Sequence, residues 1–158
     1  MANREPVAAT TTRKRFMTTT TETKTIKFAV IAALSLGTPF EGGTFAGITT
    51  QPDGTPVAVV YLGTSGDEFD HDGCIAHARE RGGQLVSRAA FHLLRATIKD
   101  QLPKEGSCFT ADLLTADTGR KSDASYAWGC FFGYGITYYY DKSYERQAVV
   151  VRLIHIEV

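Results

Sequence analysis

An excess of charge of either sign is missing from this chain: 17 Lys and Arg stand against 17 Asp and Glu, giving zero formal net charge. That balance excludes the broad electropositive surface needed for non-specific nucleic-acid binding. The one basic cluster, Arg13-Lys14-Arg15, lies near the N-terminus. Cysteine is scarce, with Cys74, Cys108 and Cys130 forming an odd set without CxxC spacing. This pattern argues against a disulfide-dense scaffold and against structural zinc, and it reads as buried free thiols suited to assembly in a reducing cytoplasm. Long apolar runs are also missing. Phe28 to Leu36, preceded by Lys24 and Lys27, has the flavour of a signal-peptide core but falls far short of the ~20 residues that span a bilayer. It reads as a buried strand or turn, and no membrane insertion is expected.

What is present is a chain of 158 residues, 43% apolar and 22% charged, enough for one core plus a tail. Its 15 glycines and 11% aromatic content favour a loop-rich, sheet-containing fold over a helical bundle. Residues 1–25 are dominated by Thr with almost no large apolar side chains, so alone they are expected to be disordered and to serve as an extended arm for assembly. Residues 26–158 carry the domain. Thr44 to Thr49 and Val57 to Leu62, separated by Pro52-Asp53-Gly54, read as a β-hairpin. Gly63 to Asp70 reads as a loop, after which Asp72 caps a helix from about Gly73 to Arg81 that Gly82-Gly83 ends. A second helix begins behind Ser87, with Phe91, Leu94 and Ile98 on one face, and stops before Pro103. Strands follow at Ser107 to Thr110, Tyr126 to Phe132, Ile136 to Tyr140 and Ala148 to Val158, the last continuous enough to be covered on both faces. This order predicts an α+β fold, two helices packed on irregular antiparallel sheets, with N- and C-terminal strands in one sheet.

Several stretches resemble the Lcl C-terminal domain-like proteins of phage virions and bacterial surfaces, which belong to the wider C-type-lectin-like fold. They are Gly43-Thr44-Phe45-Ala46-Gly47, Pro52-Asp53-Gly54-Thr55-Pro56, Ala76-His77-Ala78, and above all Gly82-Gly83-Gln84-Leu85-Val86-Ser87-Arg88, similar to the family's G-G-x-L-P-T-R. Cys108-Phe109-Thr110, Tyr126-Ala127-Trp128 with Phe131 and Gly135, and Val149-Val150-Val151-Arg152 continue it, so the likeness runs from about Gly42 to the end. Val86 departs from the family's Pro. Ala90 stands where an acidic residue would complete a capping box behind Ser87, a bond worth ~1 kcal/mol. The resemblance implies a C-type-lectin-like fold shared by lectins, phage receptor-binding tips and formylglycine-generating enzymes. Fold alone does not choose among them.

Gln51-Pro52-Asp53 matches a tripeptide that binds calcium and sugar in C-type lectins, but at a hairpin tip with Gly54 following it reads as turn chemistry. Asp67, Glu68, Asp70 and Asp72 make a weak cation cage and a better helix-capping loop. His71 or His77 with Cys74 would be a nucleophile pair lacking any third orienting group. His92 and His155 read as helix and strand positions rather than ligands. The strongest signal is Tyr134, Tyr138, Tyr139, Tyr140, Asp141, Tyr144 and Arg146, because tyrosine gives large, rigid, amphipathic contact area. Alternation places Tyr138 and Tyr140 on one face with Ile136, and Tyr139 on the other. Two readings stay open, a ligand surface and a cross-strand aromatic ladder. The expectation is a non-enzymatic phage virion module, in a tail fibre or similar appendage, that binds a host-surface glycan or protein. It would be a homo-oligomer joined to other virion proteins by the arm, with no metal, cofactor or nucleic acid. The alternatives are a structural virion protein such as a capsid decoration, placement on a bacterial cell surface, and an enzyme of the formylglycine-generating type.

Overall fold

The computed structural model describes residues 24–113 and 124–158, the side chain of residue 113 excepted. The Thr-rich arm up to Thr23 lies outside the described residues. The described residues are organised around β9 (Arg146–Glu157), whose buried run Ala148, Val149, Val150, Val151, Ile154 and Ile156 presents apolar side chains alternately to both faces. Along one edge of β9 runs β4 (Pro56–Phe69), antiparallel from Phe69 opposite Arg146 to Val57 opposite His155. Along its other edge three short strands follow one another. β6 (Ser107–Leu113) pairs parallel at Cys108 and Phe109, β5 (Gln84–Leu85) antiparallel at Val151 and Val150, and β1 (Thr25–Lys27) parallel at residues 155–157. The first and last strands thus share one sheet, as expected. The two parallel pairings make that sheet mixed, where purely antiparallel pairing was expected.

Beyond β4 lie β3 (Gly43–Thr50) and β2 (Pro39–Phe40); beyond β6 lie β7 (Tyr126–Phe131) and β8 (Thr137–Asp141). The β3–β4 hairpin matches the sequence reading, and its turn is closed by Asp53 Oδ1 accepting from the Thr55 amide at 2.9 Å. The expected loop from Gly63 to Asp70 is instead the second half of β4. Two register shifts carry the strand through polar sequence. Gly63 takes a φ of +126°, and the buried Ser65 hydroxyl accepts from the Ala148 amide while donating to the Asp67 carbonyl, so a side chain stands in for a ladder partner.

Three α-helices occur among the described residues. Phe28 to Leu36, expected as a buried strand or turn, holds the five-residue α1 (Phe28–Ala32), in which Ile31 is buried while Phe28, Val30 and the following Leu36 are exposed. One stripe of so short a helix reaches the sheet, and the other positions face outward. α2 (His71–Glu80) is capped by Asp70 rather than Asp72: Asp70 Oδ1 accepts from the Gly73 amide at 2.8 Å, and Asp72 sits in the first turn. α3 (Arg88–Thr97) starts at Ser87, which accepts from the Ala90 amide at 3.1 Å.

The helices cover both faces of the sheet. Phe91 and Leu94 of α3, with Ile98 just beyond its end, pack on Val59, Cys108, Cys130, Val149 and Val151. Cys74 and Ala78 of α2 pack on Phe109, Ala127, Tyr140, Ala148 and Val150. Ile31 packs on Phe45, Ala58, Val60, Ile154 and Ile156. All three cysteines are free and buried. Burial pushes the Cys74 and Cys130 thiols up to about 12 and Cys108 well above its ordinary value. Because these values are raised in the folded state, the stability held by neutral thiols is present below about pH 9 and is lost as pH climbs toward 12. Ellman's reagent at pH 8 is expected to find no reactive thiol in the native protein and all three in guanidinium. Rapid native reaction would contradict this burial.

Candidate functional site

The Tyr-rich segment forms the far end of the sheet. β7 and β8 pair with Tyr126 opposite Asp141, Trp128 opposite Tyr139 and Gly129 opposite Tyr138. The turn between them is held from α3, where Arg95 Nε and Nη2 donate to the carbonyls of Phe132 and Gly133 at 3.2 and 2.7 Å. At the other end of β8, the Asp141 carboxylate accepts from the Ser143 amide and hydroxyl at 2.9 and 2.7 Å, building the turn that leads into β9. The Lys142 carbonyl accepts from the His71 amide and ties that turn to α2. Asp141 therefore shapes the site rather than offering an unengaged carboxylate.

The seven residues singled out by sequence are neighbours but not equals. Tyr134 is 84% exposed, Tyr144 56% and Tyr138 51%, whereas Tyr140 is only 8% exposed. Tyr140 packs edge-on against Phe109 and Phe131, at 6.3 and 6.0 Å between ring centroids. Exposure thus changes along one face of β8 instead of between its two faces. Tyr140 lies over the cluster that α2 seals, while Tyr138 lies further out on the strand. Tyr139 is half-buried on the other face, edge-on to Trp128 and Tyr126 at 5.8 and 6.0 Å, and the Arg88 guanidinium covers Trp128 at 4.4 Å. The tyrosines divide: Tyr139 and Tyr140 pack in a cross-strand aromatic cluster, whereas Tyr134, Tyr138 and Tyr144 are exposed.

Four further residues, Phe131, Ile136, Lys104 and Glu105, lie here but were not among the site residues expected from sequence. Phe131 and Ile136 are exposed beside the tyrosines, so five large apolar or aromatic groups between residues 131 and 144 share this end of the molecule. Lys104 and Glu105 meet Phe131 and Tyr134 across a groove of about 460 Å³, floored by Gly106 and Gly133. A second groove of about 320 Å³, reaching Lys99 and Asp100, shares Lys104 and Gly133 with it. Sequence spacing could not find these neighbours, because the loop before β6 and the β7–β8 turn meet only through the sheet. Arg146 completes the site, its guanidinium 4.6 Å from the Tyr140 ring centroid and 5.7 Å from that of Tyr144. Burial raises the Tyr140 phenol above its ordinary value, and the adjacent Arg146 charge pulls it partly back.

The remaining candidates are occupied elsewhere. Cys74 Sγ donates to the carbonyls of Phe69 and Arg146, while the buried His71 ring is 3.0 Å from the Thr110 carbonyl through Nε2 and edge-on to Phe109. No nucleophile–base pair is formed by them. His77 stacks on Phe69. Gln51-Pro52-Asp53 is a turn, with the Gly54 amide donating to the Gln51 carbonyl. Among the described residues no three His, Cys, Asp or Glu side chains converge to hold a metal ion, and no helix is long and apolar enough to cross a membrane. Compared with known proteins, the chain matches no family model, no curated protein and no solved structure.

Proposed function

We propose that the chain is a recognition module of a phage virion, carried on a tail fibre or similar appendage, whose Tyr-rich sheet end contacts a host-surface glycan or protein. The observation that carries this reading is the exposure of Phe131, Tyr134, Ile136, Tyr138 and Tyr144 along β8 and its two flanking turns, with Phe131 and Tyr134 lining a groove bordered by Lys104 and Glu105. Exposed aromatics rimmed by polar groups are costly to leave in water and have the composition of binding surfaces. The C-type-lectin-like fold is supported by β1 pairing with the end of β9, by two principal helices on the sheet, and by the Gly82 to Arg88 stretch entering α3. The Thr-rich arm joins the module to other virion proteins, and further copies of the chain complete a homo-oligomer.

A structural virion subunit, a capsid decoration without a ligand, is the second reading. It is favoured by further exposed apolar side chains away from β8, among them Phe28, Val30, Leu36 and Ile48, which suit packing against neighbouring subunits. Alanine at Tyr134 or Tyr138 decides between them. Under the recognition reading, binding of the displayed protein to host cells weakens by about 1–2 kcal/mol, roughly tenfold, with melting unchanged. Unaltered host binding by both variants, with particle assembly lost instead, would transfer the function to the structural reading.

A further inference from the structure

The geometry points to an anion-recognising subsite within this surface, made by Arg146 and Tyr140 and suited to a carboxylate group on the ligand. The inference rests on the recognition reading above. It begins from two buried polar atoms, Arg146 Nε and Tyr140 Oη, neither of which has a hydrogen-bond partner among the described residues. Leaving such groups unpaired forfeits the hydration they had in the unfolded chain, most of all for a charged one, so their juxtaposition calls for a reason. The Ser107 hydroxyl lies near enough to favour the ionised phenol but is not in hydrogen-bonding geometry with it.

The side of the guanidinium that is left over identifies the chemistry. Arg146 Nη1 donates to the Glu145 carbonyl at 2.8 Å. The Nε–Nη2 edge remains, and that edge presents two parallel N–H groups matching the two oxygens of a carboxylate. No described Asp or Glu takes it: the ion pairs among the described residues are Lys24 with Glu41 and Arg88 with Asp112. The nearby Asp141 carboxylate already accepts from Ser143. Tyr140 supplies the ring facing the guanidinium and a buried, unpaired phenolic donor on the same side chain. Tyr144 stands beside the guanidinium, its exposed ring centroid 5.7 Å away. A uronic-type sugar carboxylate and an acidic peptide side chain present the same recognised chemistry.

The test uses the full chain labelled with 15N and follows the Arg146 Nε–Hε signal during titration with sodium glucuronate, N-acetyl-glutamate amide and their neutral counterparts, glucose and N-acetyl-glutamine amide. A saturable shift with an acidic probe and none with its neutral counterpart is expected, and whichever acidic probe binds more tightly names the source. Arg146→Lys keeps the charge but loses the fork, so affinity falls about tenfold, the value of one charged hydrogen bond. Tyr140→Phe removes only the phenolic oxygen and is expected to weaken binding several-fold while melting stays level or rises. Equal response to acid and neutral probes, or unchanged affinity in Arg146→Lys, overturns the subsite. Such a failure is distinct from failure of the recognition reading, which is scored by host binding of the Tyr134 and Tyr138 variants.

Discussion

Replacing Tyr140 by Ala is expected to cost about 3–5 kcal/mol of folding stability, the range for truncating a large buried aromatic. Tyr140 is 8% exposed and lies in one cluster with Phe109, Ala127, Ala148 and Val150, so its truncation leaves a cavity among them. For a domain of this size such a loss lowers the melting temperature by roughly ten degrees or more. Tyr138→Ala, two residues away on the same strand and half exposed, is expected to melt like the parent. Thermal melts of the two variants side by side check the assignment. A Tyr140→Ala protein that melts within a degree or two of the parent would mean that this ring is not part of the core.

That contrast marks where sequence reasoning reached its limit. Periodicity put Tyr138 and Tyr140 on one face of β8, and they share it. Periodicity cannot say where along a strand the covering helix ends, and here α2 seals Tyr140 while leaving Tyr138 out. The hairpin, the Ser87 cap and the role of β9 were legible because each is a local rule: turn residues, a capping hydroxyl, a β-branched run. The second half of β4 was not legible. Its polar stretch Thr64 to Glu68 looks like a loop, and it stays in the sheet through bulge contacts made by Ser65 to a strand more than eighty residues later. The Phe28 to Leu36 run misled for the opposite reason, since apolar content promised burial that a five-residue helix delivers only at Ile31. The groove at Lys104 and Glu105 has no local signature at all. It exists because β6 joins β9 in parallel and brings the preceding loop beside the β7–β8 turn.

The parallel placement of β6 also explains why the candidate site can hold a charged group against a hydrophobic core. Arg146 begins β9, and Cys108 and Phe109 of β6 pair one and two residues further on, so the guanidinium stands at the corner where three strands converge. On one side its neighbour is the buried Tyr140 ring; on the other the chain turns into solvent at Ser143, Tyr144 and Glu145. A cation with a dry back and a wet front retains part of its hydration while its interactions gain from the low local dielectric. Tyr140 is the element common to both sides, core by its ring and site by its hydroxyl.

Gly129→Ala is expected to destabilise the protein, although the same change in an ordinary strand interior stabilises by about 0.5–1 kcal/mol through chain entropy. A Cβ at this position would stand 2.6 Å from the Cys108 carbonyl oxygen on β6 and 2.6 Å from Cε2 of Tyr140 on β8. Both distances are far inside van der Waals contact, and the first is to backbone that is fixed on both sides by sheet pairing. Overpacking of this kind typically costs 1–3 kcal/mol, roughly, so the clash outweighs the entropic gain. The ring is held over the glycine because no side chain intervenes, which is how Tyr140 reaches the core at all. A double-mutant cycle with Tyr140→Ala separates the two contacts. Removing the ring relieves one clash and leaves the carbonyl, so the pair is expected to lose less than the sum of the singles, by about 0.5 kcal/mol or more. Urea unfolding of the four proteins measures it. A stabilised Gly129→Ala protein, or strict additivity with Tyr140→Ala, would show that the ring does not rest on residue 129.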